Sequence, residues 1–427
     1  MNPEISAAAA PWPRWRKALF RFTCLYLLLL LAPWTWPGSV PGVSLITTYY
    51  SGAEHWLVEL GNRHLLHVKD ALVDPNGSGD TSYVYAQLGV LALLALAGTL
   101  LWGLLDRRRR SYNLASYWLL VLVRYFVALA AFSYGLLKVF ALQMMFPDQS
   151  ALATPLGDLL PMRLAWYFIG YSHSYQVFSG LMELLAGLLL LWRRTAMLGA
   201  LVATGVFLNV MMLNLCYDIP VKLYSAQLFL LSLLLLLPDL GRLFRFFVLH
   251  QPVAAPLPPP ALPTWHWRVA RLTLKVVFIG LFALMPLVQM FAYGAEGAAA
   301  RHQRLTTGVF RVAQFDGPAG DSLRWRNVIF DSSPMGSIAT ADTAFQRRYG
   351  RGYFSYQLDS AAHVLILRKT RADTSTLGRL HYAWADSNHL ELRGRLRHDS
   401  VRVALVRQPR HFQLAERQFH WLSEANR

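Results

Sequence analysis

Cysteine is almost missing: Cys24 and Cys216 are the only two in 427 residues. Both lie in apolar runs and no C-x-x-C occurs, which excludes a small disulfide-stapled domain. Thiol exchange and a thiolate-held metal are argued against on the same ground. Charge is scarce as well. Charged residues make up 15% of the chain and hydrophobic ones 55%, whereas soluble domains carry about a quarter charged residues. That deficit points to lipid. Acids are few beside bases, 24 against 41, but the positions of the bases point away from nucleic acid. No P-loop, G-x-S-x-G or H-E-x-x-H sequence occurs, and no internal repeat of fixed period.

What is present is a series of long apolar runs. A bilayer span takes roughly 20 apolar residues. Seven stretches qualify: Ala18–Trp36, Val84–Leu105, Leu114–Phe140, Ala165–Trp192, Met197–Tyr217, Leu223–Leu237 and Val269–Tyr293. The first follows Arg14, Arg16 and Lys17, as a secretory signal would, but it ends in Pro33-Trp34-Thr35-Trp36-Pro37 and not in a small-residue cleavage site. It is therefore read as a retained anchor.

Basic residues then set the orientation. Fifteen of them fall on one side if every run crosses: Arg14, Arg16, Lys17, Arg21, Arg107–Arg110, Arg193, Arg194, Arg242, Arg245, Arg268, Arg271 and Lys275. The opposite loops, Gly38–Tyr83 and Met145–Leu164, hold only Arg63, Lys69 and Arg163. The rich side is the cytoplasm. An odd number of spans places the chain beyond Gly294 outside, which in a bacterium is the periplasm. The expectation is a multi-pass protein of the bacterial inner membrane, with its N-terminus cytoplasmic and its C-terminal domain periplasmic.

Five segments follow. Residues 1–112 hold two spans and an outer loop, in which Trp56, Leu57, Leu60, His64, Val68 and Leu72 fall at helical spacing between Gly52 and Pro75. That loop is read as an amphipathic helix lying on the membrane or on the bundle. Residues 113–247 form a four-span core. Residues 248–268 contain a Pro-rich cytoplasmic linker, with six prolines in Gln251–Pro263. Residues 269–294 are the seventh span. Residues 295–427 read as β structure, with strands at His363–Lys369, Leu380–Ala385, Leu390–Leu396 and Val401–Arg407, and two more at Gly308–Phe315 and Leu323–Phe330. Leu390, Leu392 and Leu396 alternate with Glu391, Arg393, Arg395 and Arg397, the pattern of a half-buried antiparallel sheet. The fold class is thus an all-α membrane bundle of about seven spans followed by a small β-barrel or sandwich. Twenty Lys or Arg in the tail are read as a solvated β surface near anionic lipid.

Ionisable residues inside spans are costly and mark function by default. Arg124 and Glu183 each lie ten residues from the cytoplasmic end of their run, about 15 Å deep at 1.5 Å per residue. An Arg124–Glu183 ion pair is expected, either as a clamp between helices or as part of a site. A second group gathers at the outer end: Tyr134, Lys138, His173, Asn209, Asn214, Asp218 and Lys222. Together they would line a ligand pocket for an anionic or carbonyl headgroup; singly they would be interfacial anchors. His55, His64 and His67 with Glu59 are read as interfacial and no metal is expected there, since one short helix rarely makes ligands converge. Trp265-His266-Trp267 reads as an aromatic belt.

With these residues laid out, the core from about Tyr117 to Asp239 resembles the DoxX-like family of bacterial membrane proteins. The resemblance rests on Tyr134-Gly135-x-x-Lys138, Pro155-Leu156-Gly157-Asp158, Glu183 followed by Gly187, and Arg193-Arg194-Thr195 before Leu198-Gly199-Ala200. Asn209, Asn214, Tyr217-Asp218 and Pro220-Val221-Lys222 look like a longer-chain subgroup ending in a soluble β domain. The resemblance implies a DoxX-like four-helix core and no single reaction; some members accompany quinone-linked sulfur oxidation or oxidative-stress complexes. The extra spans, the tail and the lack of a usable cysteine pair depart from it and weigh against direct thiol redox.

The leading expectation is an accessory or binding module whose intramembrane pocket holds a lipid or quinone-like ligand. A periplasmic or membrane protein partner would meet the β domain, and no nucleic acid is expected. No cofactor is evident beyond a quinone. One competing reading is an enzyme of quinone-linked redox or lipid modification, with Lys138 or His173 carrying protons and Glu183 tuning the site. Another is a structural subunit of a membrane complex.

Overall fold

The computed structural model describes residues 11–38, 40, 42–254, 264–302, 304–318, 320, 323–373, 375–417 and 419–424. Its helices are α1 (Arg14–Leu31), α2 (Val43–Gly61), α3 (Ser82–Leu105), α4 (Asn113–Val139), α5 (Gln149–Leu152), α6 (Pro161–Tyr171), α7 (His173–Leu191), α8 (Ala196–Cys216), α9 (Lys222–Leu236), α10 (Leu240–Phe247), α11 (Trp265–Ile279), α12 (Met285–His302) and α13 (Gln413–Glu416). The chain divides into two compact units, Met1–Phe140 with Gln176–Val288, and Ala141–Tyr175 with Gln289–Arg427.

In the first unit, apolar side chains from four helices share one core. Val123, Val127, Ala131 and Phe132 of α4 meet Ala186 and Leu190 of α7, Ala203 and Phe207 of α8, and Leu228 and Leu231 of α9. Small residues let two of these helices come very close. A Cβ added at Gly180 of α7 would stand 2.7 Å from the Gly135 carbonyl oxygen and 2.8 Å from the Lys138 Cβ of α4. Gly187, two turns on, lies against Ala131 and Phe132. This stripe of small residues fixes the register of α7 on α4.

Among the described residues, six helices are long and apolar enough to cross a membrane: Ser82–Leu105, Asn113–Val139, His173–Leu191, Ala196–Cys216, Lys222–Phe247 and Trp265–Gly294. The expected seventh, α1, is not one of them. Its 18 residues hold Arg14, Arg16, Lys17 and Arg21, so only about 15 Å of uninterrupted apolar helix remains beyond Arg21. Packing deals with the most deeply placed of these charges. Arg21 is buried and donates from Nε to the Tyr112 hydroxyl at 2.9 Å and from Nη2 to the Asp106 carbonyl oxygen at 2.9 Å. Lys17 reaches the Arg109 carbonyl oxygen at 3.2 Å, so the basic end of α1 sits at the α3–α4 turn and the helix runs along α3.

The outer-loop helix begins nine residues before Gly52, at Val43, and ends in a π-turn over Asn62–Leu66, so Val68 and Leu72 lie beyond it. Fully buried Val58 meets Ala86 and Val90 of α3, whereas Trp56 is exposed. The helix is therefore anchored on the bundle by a narrower stripe than its spacing implied. Most of the Pro-rich linker, residues 255–263, lies outside the described residues.

The second unit is a β-barrel joined by the segment between α4 and α7, which the sequence reading had assigned to the four-span core. Strands β1 (Gly308–Asp316), β2 (Asn327–Phe330), β3 (Met335–Ile338), β4 (Gln346–Arg348), β5 (Arg351–Asp359), β6 (Val364–Arg368), β7 (Gly378–Trp384), β8 (His389–Leu396) and β9 (Asp399–Gln408) form one antiparallel sheet. Its order is β3-β2-β1-β9-β8-β7-β6-β5-β4, and β3 pairs back to β5 to close eight strands, with short β4 hung on β5. Closure leaves no long open edge among the eight. Phe310, Phe330, Phe354, Leu365, Leu380, Leu390 and Leu405 fill the interior. All six expected strands are present. Strands β3, β4 and β5 were not expected, because Gly-Tyr-Phe-Ser-Tyr and its neighbours lack clean alternation.

Candidate functional site

Closest packing places the charge. Lys138 sits on the α4 face that meets Gly180, and Glu183 lies one turn along α7 from that glycine. The Lys138 Nζ donates to Glu183 Oε1 at 2.6 Å, and both side chains are almost wholly buried. The Lys138 ammonium also lies 5.6 Å from the Tyr134 ring centre, and Tyr134 meets Tyr224 of α9 at 6.0 Å. Burying this pair in hydrocarbon is costly unless its remaining hydrogen-bonding positions are met. They are not: Glu183 Oε2 is buried with no protein partner. Two turns earlier on the same face, Gln176 is fully buried and neither its Oε1 nor its Nε2 has a partner. The face of α7 around this centre thus carries a buried acceptor carboxylate oxygen and a whole buried amide without hydrogen-bond partners.

The expected Arg124–Glu183 pair is not formed. Counting residues from the basic flanks treated the two helices as starting level. The glycine stripe instead aligns Gly180 with Gly135–Lys138 and Gly187 with Ala131, which leaves Arg124 nearer the basic end than Glu183 by about three turns. Arg124 lies beside the Tyr125 ring at 5.3 Å, with its Nε buried and unpartnered.

The outer group is only partly brought together. Tyr134 and Lys138 join the buried centre. Asn214, Asp218 and Lys222 instead staple the turn between α8 and α9. Asn214 Nδ2 donates to the Val221 carbonyl oxygen at 3.4 Å, and Lys222 pairs with the exposed Asp218 at 2.7 Å. Asp80, from the loop before α3, caps α9 by accepting from the Lys222 and Leu223 backbone at 2.8 and 3.0 Å. Asn209 is exposed on the outside of α8, and His173 opens α7 with its side chain exposed. Neither joins the pocket as expected. Helix rotation, not depth, separates them: residues at one depth on different faces never converge. Sequence reading missed Gln176, Tyr224 and Asp80. Gln176 had a signal, lying seven residues before Glu183 and thus on its face.

A cavity of about 880 Å³ occupies the other end of this unit. It is lined from α4 by Tyr117, Leu120, Val121 and Arg124, from the end of α7, the α7–α8 turn and the start of α8 by Leu190, Arg193, Arg194 and Met197, from the end of α9 by Leu235, and from beyond it by Asp239 and Arg242, with Arg271 of α11. None of the expected outer residues lines it.

In sequence, the chain is 38% identical over 126 residues to the uncharacterised protein YwoB of Bacillus subtilis (strain 168). The match spans 79% of YwoB and 29% of this chain. The chain belongs to the YwoB family. Relative to YwoB, it adds sequence well beyond the shared stretch. No protein-family model matches the chain, and no solved structure matches it significantly.

Proposed function

We propose that this membrane protein is an inner-membrane accessory or binding module with a DoxX-like core, in which the Lys138–Glu183 centre takes the polar group of a lipid or quinone-like ligand. One observation carries the reading: Glu183 Oε2 and both amide atoms of Gln176 are buried without partners along one face of α7. Each unpaired buried group costs free energy that a ligand's hydroxyl or carbonyl would recover. A quinone-like head fits this donor set, since its carbonyl oxygen would accept from Gln176 Nε2 and a quinol hydroxyl would donate to Glu183 Oε2. The positive-inside rule supports the orientation, with the basic end of the bundle cytoplasmic and the β-barrel periplasmic, where a protein partner would meet it.

Gln176→Leu tests the reading, because it removes the amide without unpairing a charge. The expected result is a folded protein that no longer retains the lipid or quinone extracted from the purified wild type. Higher thermal stability with an unchanged extract would instead favour a structural subunit.

A further inference from the structure

We infer that the basic end of the helical unit is a second, separate binding site, for a phosphate-bearing headgroup. Five arginines line the cavity there, Arg124, Arg193, Arg194, Arg242 and Arg271, against a single carboxylate, Asp239, which is paired with Arg242. Even with Arg193 set aside, four guanidinium groups outnumber the one carboxylate among the described lining residues, so the cavity favours an anion. Orientation signals for membrane insertion explain Arg193, Arg194 and Arg242, which flank the ends of apolar helices. They do not explain Arg124. It lies eleven residues into α4, about 16 Å along the helix, and its Nε is buried with no partner. A topogenic residue has no use for a buried, unpaired Nε at that depth.

Chemistry narrows the ligand. Guanidinium forks match phosphate oxygens in bidentate pairs, which a lysine cluster would not. The cavity volume far exceeds one phosphate, and its wall between the arginines is apolar, with Leu120, Val121 and Leu190. An amphiphile with a multiply charged phosphate head satisfies both features. The site is distinct from the Lys138–Glu183 centre: Lys138 is fourteen residues beyond Arg124 on α4, about 21 Å away along the helix.

The full chain reconstituted in phosphatidylcholine nanodiscs, with and without cardiolipin, would be read by native mass spectrometry. Inorganic pyrophosphate would be added separately to the detergent-solubilised protein and followed by thermal shift. Cardiolipin retention by the wild type is expected, weakened about tenfold or more by Arg124→Gln. Arg194→Gln, at an exposed position, should weaken it in the same direction and guards against a folding defect at Arg124. Arg108→Gln, exposed at the same end but outside the cavity, should leave retention unchanged. Stabilisation by pyrophosphate without cardiolipin retention would uphold the phosphate site and assign it to a soluble anion. Equal losses in Arg108→Gln and the two cavity variants would overturn the site in favour of a diffuse basic surface. So would indifference to both probes.

Discussion

Glu183 is the residue on which most of the membrane unit's electrostatics turns. Its carboxylate meets Lys138 at 2.6 Å in a fully buried setting. Truncating one partner leaves the other charge buried alone, which typically costs about 3–5 kcal/mol. Glu183→Leu should therefore lower the melting temperature in detergent sharply. The double change Lys138→Met with Glu183→Leu should recover most of the loss, since an apolar pair of similar volume is often neutral or better. Arg124→Leu should show no such coupling to Glu183→Leu in a double-mutant cycle; strong coupling would contradict the pairing seen here. In the β unit, Asp331 plays a comparable role. It accepts from the Ser150 backbone N–H and hydroxyl, each at 2.8 Å, and Ser150 also meets Ser337, which accepts from Arg351 Nε. Burial, and then the nearby Asp148 carboxylate, push the Asp331 carboxyl up to about 7. A carboxyl raised on folding binds its proton more tightly in the folded state. Stability is therefore fully present below its unfolded value near pH 4 and declines up to about pH 7. Asp331→Asn mimics the protonated form and should flatten the pH dependence of unfolding between those limits. An unchanged slope would show that another group titrates there.

Helices and strands differ in how much of their placement the chain reveals. In α7, the positions 176, 180, 183 and 187 form one stripe, and the two glycines in it bring α4 to within backbone contact. Gly180→Val should force the helices apart and destabilise by roughly 1–3 kcal/mol, as overpacking usually does. Gly205→Ala is the control, because nothing lies within 4 Å of a Cβ there. It should be neutral or slightly stabilising, since alanine favours helix over glycine. Similar thermal shifts for the two changes would mean that the α4–α7 contact is not tight. Among strands, β8 declares itself by period-2 alternation, with Leu390, Leu392 and Leu396 buried and Arg393 exposed. Strand β5 does not. Its burial runs through Phe354, Ser355 and Tyr356 without alternation, because its second face is covered too: Tyr353 of that face hydrogen-bonds Thr154 and lies near Asp148 and Tyr167.

At the scale of the whole molecule, the charge pattern carries an orientation that a fusion experiment can read. Alkaline phosphatase fused after Gly294 should be active, and a fusion within the Arg107–Arg110 turn should be inactive; the reverse pattern would invert the proposed topology. The apolar runs, the basic flanks and the alternating tail were legible in the sequence because each is a local property, set by a window of neighbours that must meet hydrocarbon or water together. Those windows gave seven apolar runs, of which six are helices long and apolar enough to cross a membrane among the described residues, and an all-β domain. They did not give the site. Depth along a helix can be counted, and on that count Arg124 and Glu183 looked level. Which carboxylate meets which cation depends on where one helix slides and rotates against another, and that is decided by the summed close contacts of Gly135, Gly180 and Gly187. The same dependence moved Asn209 out of the pocket, tied Asn214 to a turn, and joined residues 141–175 to the barrel through Ser150 and Asp331. Hydropathy is additive along a chain and so is readable from it; pairing is a property of faces brought together, and only the tertiary structure decides which faces those are.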